Sequence, residues 1–280
     1  MNISLTDVKG VNPHETELLY DEIFTRRVYQ PPGLLLPEAP VVFDVGANIG
    51  MYSLFVLSER PRARVFAFEP ILPVFDLLRE NTRRHSARTR VFPYGLAESE
   101  QETEFTHYPG YSTMSTRRAF ADTAGEKAFV RQRVVSARQP PEALQLLDEL
   151  LDHRFREHPV RCTLRPLSAV LDEHPVDRID VLKIDVQRGE TQVLHGIEDR
   201  HWPLVRQIVM EVHDDPAGPT AGRLAGVSAA LRRRGFHVAS GQEEDLAGSD
   251  RHSLFAHRDS THSTGQDGAG RRGPVEDDPA

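Results

Sequence analysis

The chain has 280 residues, of which 39% are hydrophobic and 27% charged, a balance that excludes wholesale disorder and suits one large α/β domain or two small ones. A net charge of −8 argues against a nucleic-acid binder, which would carry a basic footprint. The single cysteine, Cys162, excludes an internal disulfide framework and fits a reducing compartment. No run approaches the roughly 18 apolar residues of a membrane span, and Met1 to Gln30 lacks a basic-then-apolar signal pattern, so the expected location is the cytoplasm, with no membrane partner. Of 34 basic side chains only Lys9, Lys127 and Lys183 are lysines, a bias read first as codon usage.

In chain order, residues 1–36 read as an N-terminal helical cap. Its helix runs from Thr16 to Tyr29, ends at Pro31-Pro32-Gly33, and is placed over the open edge of a sheet. A core domain spans 37–258. Val41 to Val45 is a buried strand ending in a glycine-rich turn, Met51 to Glu59 the following helix, Arg64 to Phe68 a second strand, Ile71 to Arg84 a second helix and Arg90 to Tyr94 a third strand. An insertion, 97–165, follows. It holds a helix after Pro140-Pro141, with Leu144, Leu147 and Leu151 in phase, and is expected to form a substrate wall or lid. Ile179 to Val186 and Gln207 to Val212 are apolar strands flanking a helix from Gly189 to Ile197. Leu224, Val227 and Leu231 recur at helical spacing, and Phe236 to Ala239 and Ser253 to Ala256 close the sheet. Apolar residues crowd both faces of these strands. The expected fold is therefore α/β: a doubly wound, mostly parallel sheet. Residues 259–280 are polar, rich in Gly, Ser, Asp and Pro, and read as a disordered tail.

The turn Asp44-Val45-Gly46-Ala47-Asn48-Ile49-Gly50 joins a strand to a helix. Its glycines permit a sharp turn and close approach of a ligand, and the helix terminus offers free N–H groups. Glu69, at the end of the second strand, can accept the hydroxyls of a ribose. The dinucleotide spacing G-x-G-x-x-G is absent, and Asp44 would repel a pyrophosphate. A zwitterionic amino acid suits both the acid and the helix terminus, which points to S-adenosylmethionine held by Asp44, Gly46, Asn48, Gly50 and Glu69.

Phe43-Asp44-Val45-Gly46-Ala47-Asn48-Ile49-Gly50, Phe68-Glu69-Pro70, Leu182-Lys183-Ile184-Asp185-Val186 and Val209-Met210-Glu211-Val212-His213-Asp214 resemble the FkbM-type family of S-adenosylmethionine-dependent methyltransferases. The resemblance is nearest to the branch that tailors polyketides and nonribosomal peptides. It extends to Glu15-Thr16-Glu17, Tyr20, Ile23-Phe24 and Val28-Tyr29, and to Tyr108-Pro109, Tyr111-Ser112 and Met114-Ser115 in the insertion, covering about residues 12 to 258. It implies a seven-stranded sheet and methylation of a hydroxyl on a secondary metabolite or saccharide-like acceptor. One departure stands out. The family commonly follows Lys-Ile-Asp-Val with an acid and a small residue, where this chain has Gln187-Arg188-Gly189-Glu190.

An alcohol needs its proton removed before it attacks a methyl group. Lys183 and Asp185 are two apart on one strand, as are Glu211 and His213 on the next, so each pair shares a face. With the strand order implied by the resemblance, these residues flank the cofactor turn. His213 is the expected general base, since imidazole titrates near neutrality; Asp185 orients it or contacts a ligand, and Lys183 and Glu211 form an ion pair beneath the site. Two other readings stay open: the four residues merely satisfy one another, or Asp185, Glu211 and His213 hold a divalent cation. Tyr108, Tyr111, Ser112 and Met114 are expected to line a substrate pocket, with packing on the sheet as the alternative. The expected partner is a small-molecule acceptor, free or tethered to a carrier protein. A basic excess in 117–165 would suit an acidic carrier, although a solvated face accounts for it better. The competing functions are a nicotinamide-dependent oxidoreductase and a non-catalytic S-adenosylmethionine-binding module.

Overall fold

Val41-Val42-Phe43-Asp44-Val45 is apolar at every position but one, which suits a strand covered on both faces, and in the computed structural model all five residues of this strand are buried. The structure describes residues 3–136, 141–243 and 246–259. In chain order the elements are α1 (Pro13–Tyr20), β1 (Val41–Val45), α2 (Met51–Glu59), β2 (Arg64–Phe68), α3 (Leu72–Thr82), β3 (Thr89–Phe92), β4 (Gly95–Leu96), β5 (Gln101–His107) and β6 (Thr116–Arg117). There follow α4 (Thr123–Ser136), α5 (Pro141–Arg154), β7 (His158–Arg165), α6 (Leu167–Glu173), β8 (Val181–Ile184), α7 (Glu190–His195), β9 (Gln207–His213), α8 (Arg223–Arg233), β10 (His237–Gly241) and β11 (Arg251–His257).

The main sheet has seven strands in the order β10-β11-β9-β8-β1-β2-β3, and only β11 runs against the rest. This is the doubly wound, mostly parallel architecture read from the sequence. One face packs on α6, α7 and α8 through Phe43, Phe68, Leu182 and Met210; the other packs on α2 and α3 through Val42, Val65 and Ala67. The rings of Phe43 and Phe66 stack at 4.6 Å and those of Phe68 and Phe92 at 4.8 Å across adjacent strands. Each such buried ring contributes about 2–3 kcal/mol through removal of apolar surface from water.

The insertion builds a second, four-stranded sheet, β4-β7-β5-β6, in which β5 and β7 pair antiparallel from Gln101 opposite Leu164 to His107 opposite His158. The helix expected after Pro140-Pro141 is α5. Leu147 and Leu151 join Tyr108, Tyr111, Val130 and Phe155 in a small core of the insertion's own. The side chain of Leu144 lies outside the described residues, as does the segment 260–280 expected as a tail. A parallel bridge from Thr116 to Gln187 ties β6 to the segment just beyond β8.

The N-terminal segment does not cover a sheet edge. The outer strands are β3 and β10, whereas Phe24 meets Phe55 of α2 edge-on at 5.5 Å and Tyr29 meets Tyr52 at 5.3 Å. Its helix starts earlier than the apolar pattern suggests, because Asn12 caps it by accepting from Glu15 N (2.9 Å) and Pro13 opens it. One π-helical turn, Asp21–Thr25, and a left-handed Arg27 (φ +56°) then swing Tyr29 inward. Among the described residues, no helix is long and apolar enough to cross a membrane.

Candidate active site at the carboxyl ends of the parallel strands

The turn after β1 is held in left-handed conformations at Gly46 (φ +74°), Asn48 (φ +50°) and Gly50 (φ +90°). Gly46 N and Ala47 N donate to Phe68 O at 3.1 and 2.9 Å, which folds the turn back over β2. A Cβ on Gly46 would lie 1.9 Å from the Asp185 carbonyl oxygen, so no other residue fits there. Gly50 does not reach the cleft. It begins α2, and a Cβ there would meet Leu78 of α3 at 2.8 Å.

Above this turn lies a cleft. Gly46, Asn48, Glu69 and Tyr52 line its polar end and Leu96, Phe105 and Leu164 its apolar end. Its walls thus come from both sheets. Glu69 accepts from Asn48 N (3.1 Å) and Ile71 N (2.9 Å), and burial pushes its carboxyl up to about 7. The hydroxyl of Tyr52 is buried in this wall without a hydrogen-bond partner.

Asp44, expected to meet the ligand's ammonium group, is sealed beneath the turn. Ser53 Oγ donates to its Oδ2 (2.7 Å), and Lys183 Nζ lies 3.2 Å from its Oδ1. The cause is register, for Asp44 and Lys183 are direct partners across β1 and β8. The expected Lys183–Glu211 pair is absent for the same reason: Lys183 sits beside Val209, and its ammonium is engaged by Asp44 and by Gly46 O (2.8 Å).

A second cleft adjoins the first. Tyr111, Met114 and Phe129 supply its apolar wall, and Glu211 and Arg251 its polar one. Leu19, Tyr29, Thr113, Asp185 and Gln187 line both clefts and form their shared wall. Tyr29 Oη donates to Asp185 Oδ2 at 2.5 Å, and the Tyr29 ring lies 5.1 Å from Lys183 Nζ. Burial, then the neighbouring Asp185 carboxylate, pushes the Glu211 carboxyl up to about 7.

His213 reaches neither cleft. It is fully buried, with Nδ1 2.6 Å from Glu190 Oε1 and Nε2 3.5 Å from Glu211 Oε1. Burial opposes the charged ring, but the Glu190 hydrogen bond and the Glu190 and Glu211 carboxylates outweigh it and hold its pKa above the usual imidazole value. A protonated, enclosed imidazole is a poor base, and Glu190, not Asp185, orients it. The cation reading is not supported by this arrangement either. Asp185 turns to Tyr29, and among the described residues no three His, Cys, Asp or Glu side chains are arranged to hold a metal.

Of the four residues expected at the substrate, Tyr111 and Met114 line the second cleft. Ser112 lies instead in the wall of the first, where it accepts from Asn48 Nδ2 (2.9 Å) and donates to the buried Glu15 (3.0 Å). Tyr108 belongs to the insertion's core, its hydroxyl 2.7 Å from Thr123 Oγ1. Tyr29, Gln187 and Glu15 were not singled out as site residues by their sequence context. Tyr29 and Glu15 arrive through the π turn and the Asn12 cap, neither of which has a hydrophobic period to betray it.

Residues 44–238 match the model of the methyltransferase FkbM domain. The chain is 47% identical over 254 residues to the AMB antimetabolite synthetase AmbE of Pseudomonas aeruginosa, covering 90% of this chain but 12% of that much longer protein. It is 38% identical to the 31-O-demethyl-FK506 methyltransferase FkbM of Streptomyces tacrolimicus, covering 90% of this chain and 93% of that one. It is 32% identical to the methyltransferase sdnD of Sordaria araneosa, covering 84% and 87%.

Proposed function

The chain belongs to the FkbM methyltransferase family, and from that premise we propose that it moves a methyl group from S-adenosylmethionine to a hydroxyl of a small secondary-metabolite acceptor. The observation that carries this reading is the pair of clefts with one shared wall. A methyl donor and an alcohol must meet in line, and two pockets that share Leu19, Tyr29, Thr113, Asp185 and Gln187 supply that meeting point.

The residues of the first cleft fit the cofactor. Glu69 keeps lone pairs for a ribose, the Tyr52 hydroxyl is buried without a partner, and Leu96, Phe105 and Leu164 offer an apolar slot for a base. When bound, S-adenosylmethionine supplies an electrophilic methyl on a sulfonium. This chain's part is to position and deprotonate the alcohol. Glu211 is the base: its carboxyl opens into the second cleft, and a pKa of about 7 suits proton transfer at neutral pH. It takes the hydroxyl proton as the oxygen gains the methyl, and returns it to water when the product leaves. Tyr29 holds Asp185 at the shared wall. The O-methylating relative from Streptomyces tacrolimicus, aligned over nearly its whole length, supports oxygen as the acceptor atom.

Titration of the purified protein with S-adenosylmethionine and with NAD(H) tests the cofactor, and transfer of label from methyl-labelled S-adenosylmethionine to hydroxyl compounds tests the reaction. Tight binding of NAD(H) alone would overturn the proposal. Binding of S-adenosylmethionine without transfer to any hydroxyl would reduce the protein to a binding module.

A further inference from the structure

Glu190 is fully buried, and three donors converge on its two oxygens. Oε1 accepts from Arg188 N (3.0 Å) and lies 2.6 Å from His213 Nδ1, while Oε2 accepts from Arg223 Nη1 (2.6 Å). Arg223 also donates to Arg188 O (2.8 Å), so the turn before α7 and the start of α8 brace the carboxylate together. The end of His213 that faces it, Nδ1, is therefore a donor, and the ring is fixed by it. The other end is not satisfied. Nε2 is buried without a hydrogen-bond partner, 3.5 Å from Oε1 of Glu211. Glu211 stands two residues earlier on β9 and on the same face. Its cationic neighbours gather at one oxygen: Arg251 Nε also lies against Oε1, at 3.8 Å, and among the described residues no group bonds Oε2. Arg251 is the direct partner of His213 across β11 and β9, but its guanidinium is engaged by Glu126 and by Asp250 (3.3 Å). The imidazole is left as the group that can orient Glu211.

Resting on the reading of Glu211 as the base of an O-methyltransferase, we propose that His213 is a positioning residue: held by Glu190, it donates from Nε2 to Oε1 of the Glu211 carboxylate and leaves Oε2 turned to the acceptor hydroxyl. One proton fits between Nε2 and Oε1. With two, hydrogen would meet hydrogen; with none, lone pair would meet lone pair. The Glu190 hydrogen bond and the Glu190 and Glu211 carboxylates favour that proton on the imidazole. Glu211 is thereby kept as a carboxylate when the acceptor arrives. At 3.5 Å the contact is longer than a hydrogen bond by only about half an ångström. Bonds of this kind tighten once a substrate is seated. The hydroxyl proton then passes to Oε2 as the acceptor oxygen gains the methyl, and His213 ends the turnover as it began.

Asparagine and glutamine separate the two ends of the ring, since an Asn amide falls near Nδ1 and a Gln amide near Nε2. The assay is label transfer from methyl-labelled S-adenosylmethionine to cyclohexanol and to methyl glucoside. His213→Asn keeps a donor for Glu190 alone and should lower kcat about 10–100-fold with KM little changed. His213→Gln returns a donor to Glu211 and should recover most of that loss. In both variants the rising limb of the pH–rate profile should move up by about one pH unit, because Glu211 has lost a neighbouring cation. Thermal melting confirms folding. A reciprocal measurement needs neither a change at His213 nor turnover. In nitrogen NMR of the histidine rings, Glu211→Gln should lower the pH at which His213 titrates by about one unit, since coupling acts on both partners alike. That spectrum decides if neither His213 variant folds. An unmoved limb in His213→Asn, or an unmoved His213 titration in Glu211→Gln, overturns the inference and leaves the proposed function standing. An equal loss of kcat in both variants does the same, because it marks packing and not a hydrogen bond. If S-adenosylmethionine binds and the wild type methylates neither alcohol, the function fails and the inference falls with it.

Discussion

The two sheets that enclose the first cleft are built on opposite terms. The seven-stranded sheet is apolar on both faces and holds its shape by burial, and the deep ion pair between two of its strands, Asp44 with Lys183, is set by strand register. The four-stranded sheet is half polar: β5 and β7 mix exposed, half-buried and buried residues, and the helix beside them, α4, is tied to β11 and the β8–α7 turn through Glu126, Arg188 and Arg251. The first sheet provides the rigid turn that meets a cofactor. The second provides the roof, fastened by charges. A site between them owes its position to one kind of force and its closure to another.

That contrast can be broken from either side. The largest expected effect is Gly46→Ala, whose methyl meets the backbone carbonyl of Asp185; cofactor binding measured by calorimetry should be abolished and the melting temperature should fall. Next is Glu211→Gln, which should lower kcat about 10²–10⁴-fold. In the wild type the rate should rise as pH passes upward through about 7, because the base works only once Glu211 has lost its proton. That rising limb should vanish in Glu211→Gln. It should persist in Glu69→Gln, although Glu69 also titrates near 7, because Glu69 lies in the other cleft; a limb that follows Glu69 would move the chemistry out of the second cleft. On the roof, Glu126→Ala leaves Arg188 and Arg251 without their buried counter-ion and should cost about 3–5 kcal/mol in denaturant unfolding. The smallest effect is Arg62→Ala. It removes an exposed pair with Glu38 and should cost less than about 1 kcal/mol.

How far the sequence can be read follows the same division. β1, α2 and β2 lie where the apolar runs place them, to the residue, because burial on both faces leaves a continuous hydrophobic signal. β5 and β7 escape notice: Gln101, Thr103, Glu102 and Glu104 give a half-buried strand little apolar alternation to detect. The motif residues Gly46, Asn48 and Glu69 are legible because close approach and strand ends demand particular residue types. The roles of His213 and Glu211 are not. Their shared face is visible in the spacing, but Glu190, which encloses and charges the histidine, comes from another element, and depth at a strand end is a tertiary property. Asp44 illustrates the same limit, since its partner is chosen by a register no local pattern encodes.

Cys162 gives the roof its own reporter. It is the sole thiol of the chain, it lies in β7 with 3% of its surface exposed, and burial pushes its pKa up to about 12. A disulfide reagent needs the thiolate, so labelling at neutral pH proceeds only through moments when the small sheet lifts away. The labelling rate is therefore a clock for that opening. A ligand that bridges the two sheets should slow it in proportion to its occupancy, a readout of binding that asks nothing of the chemistry.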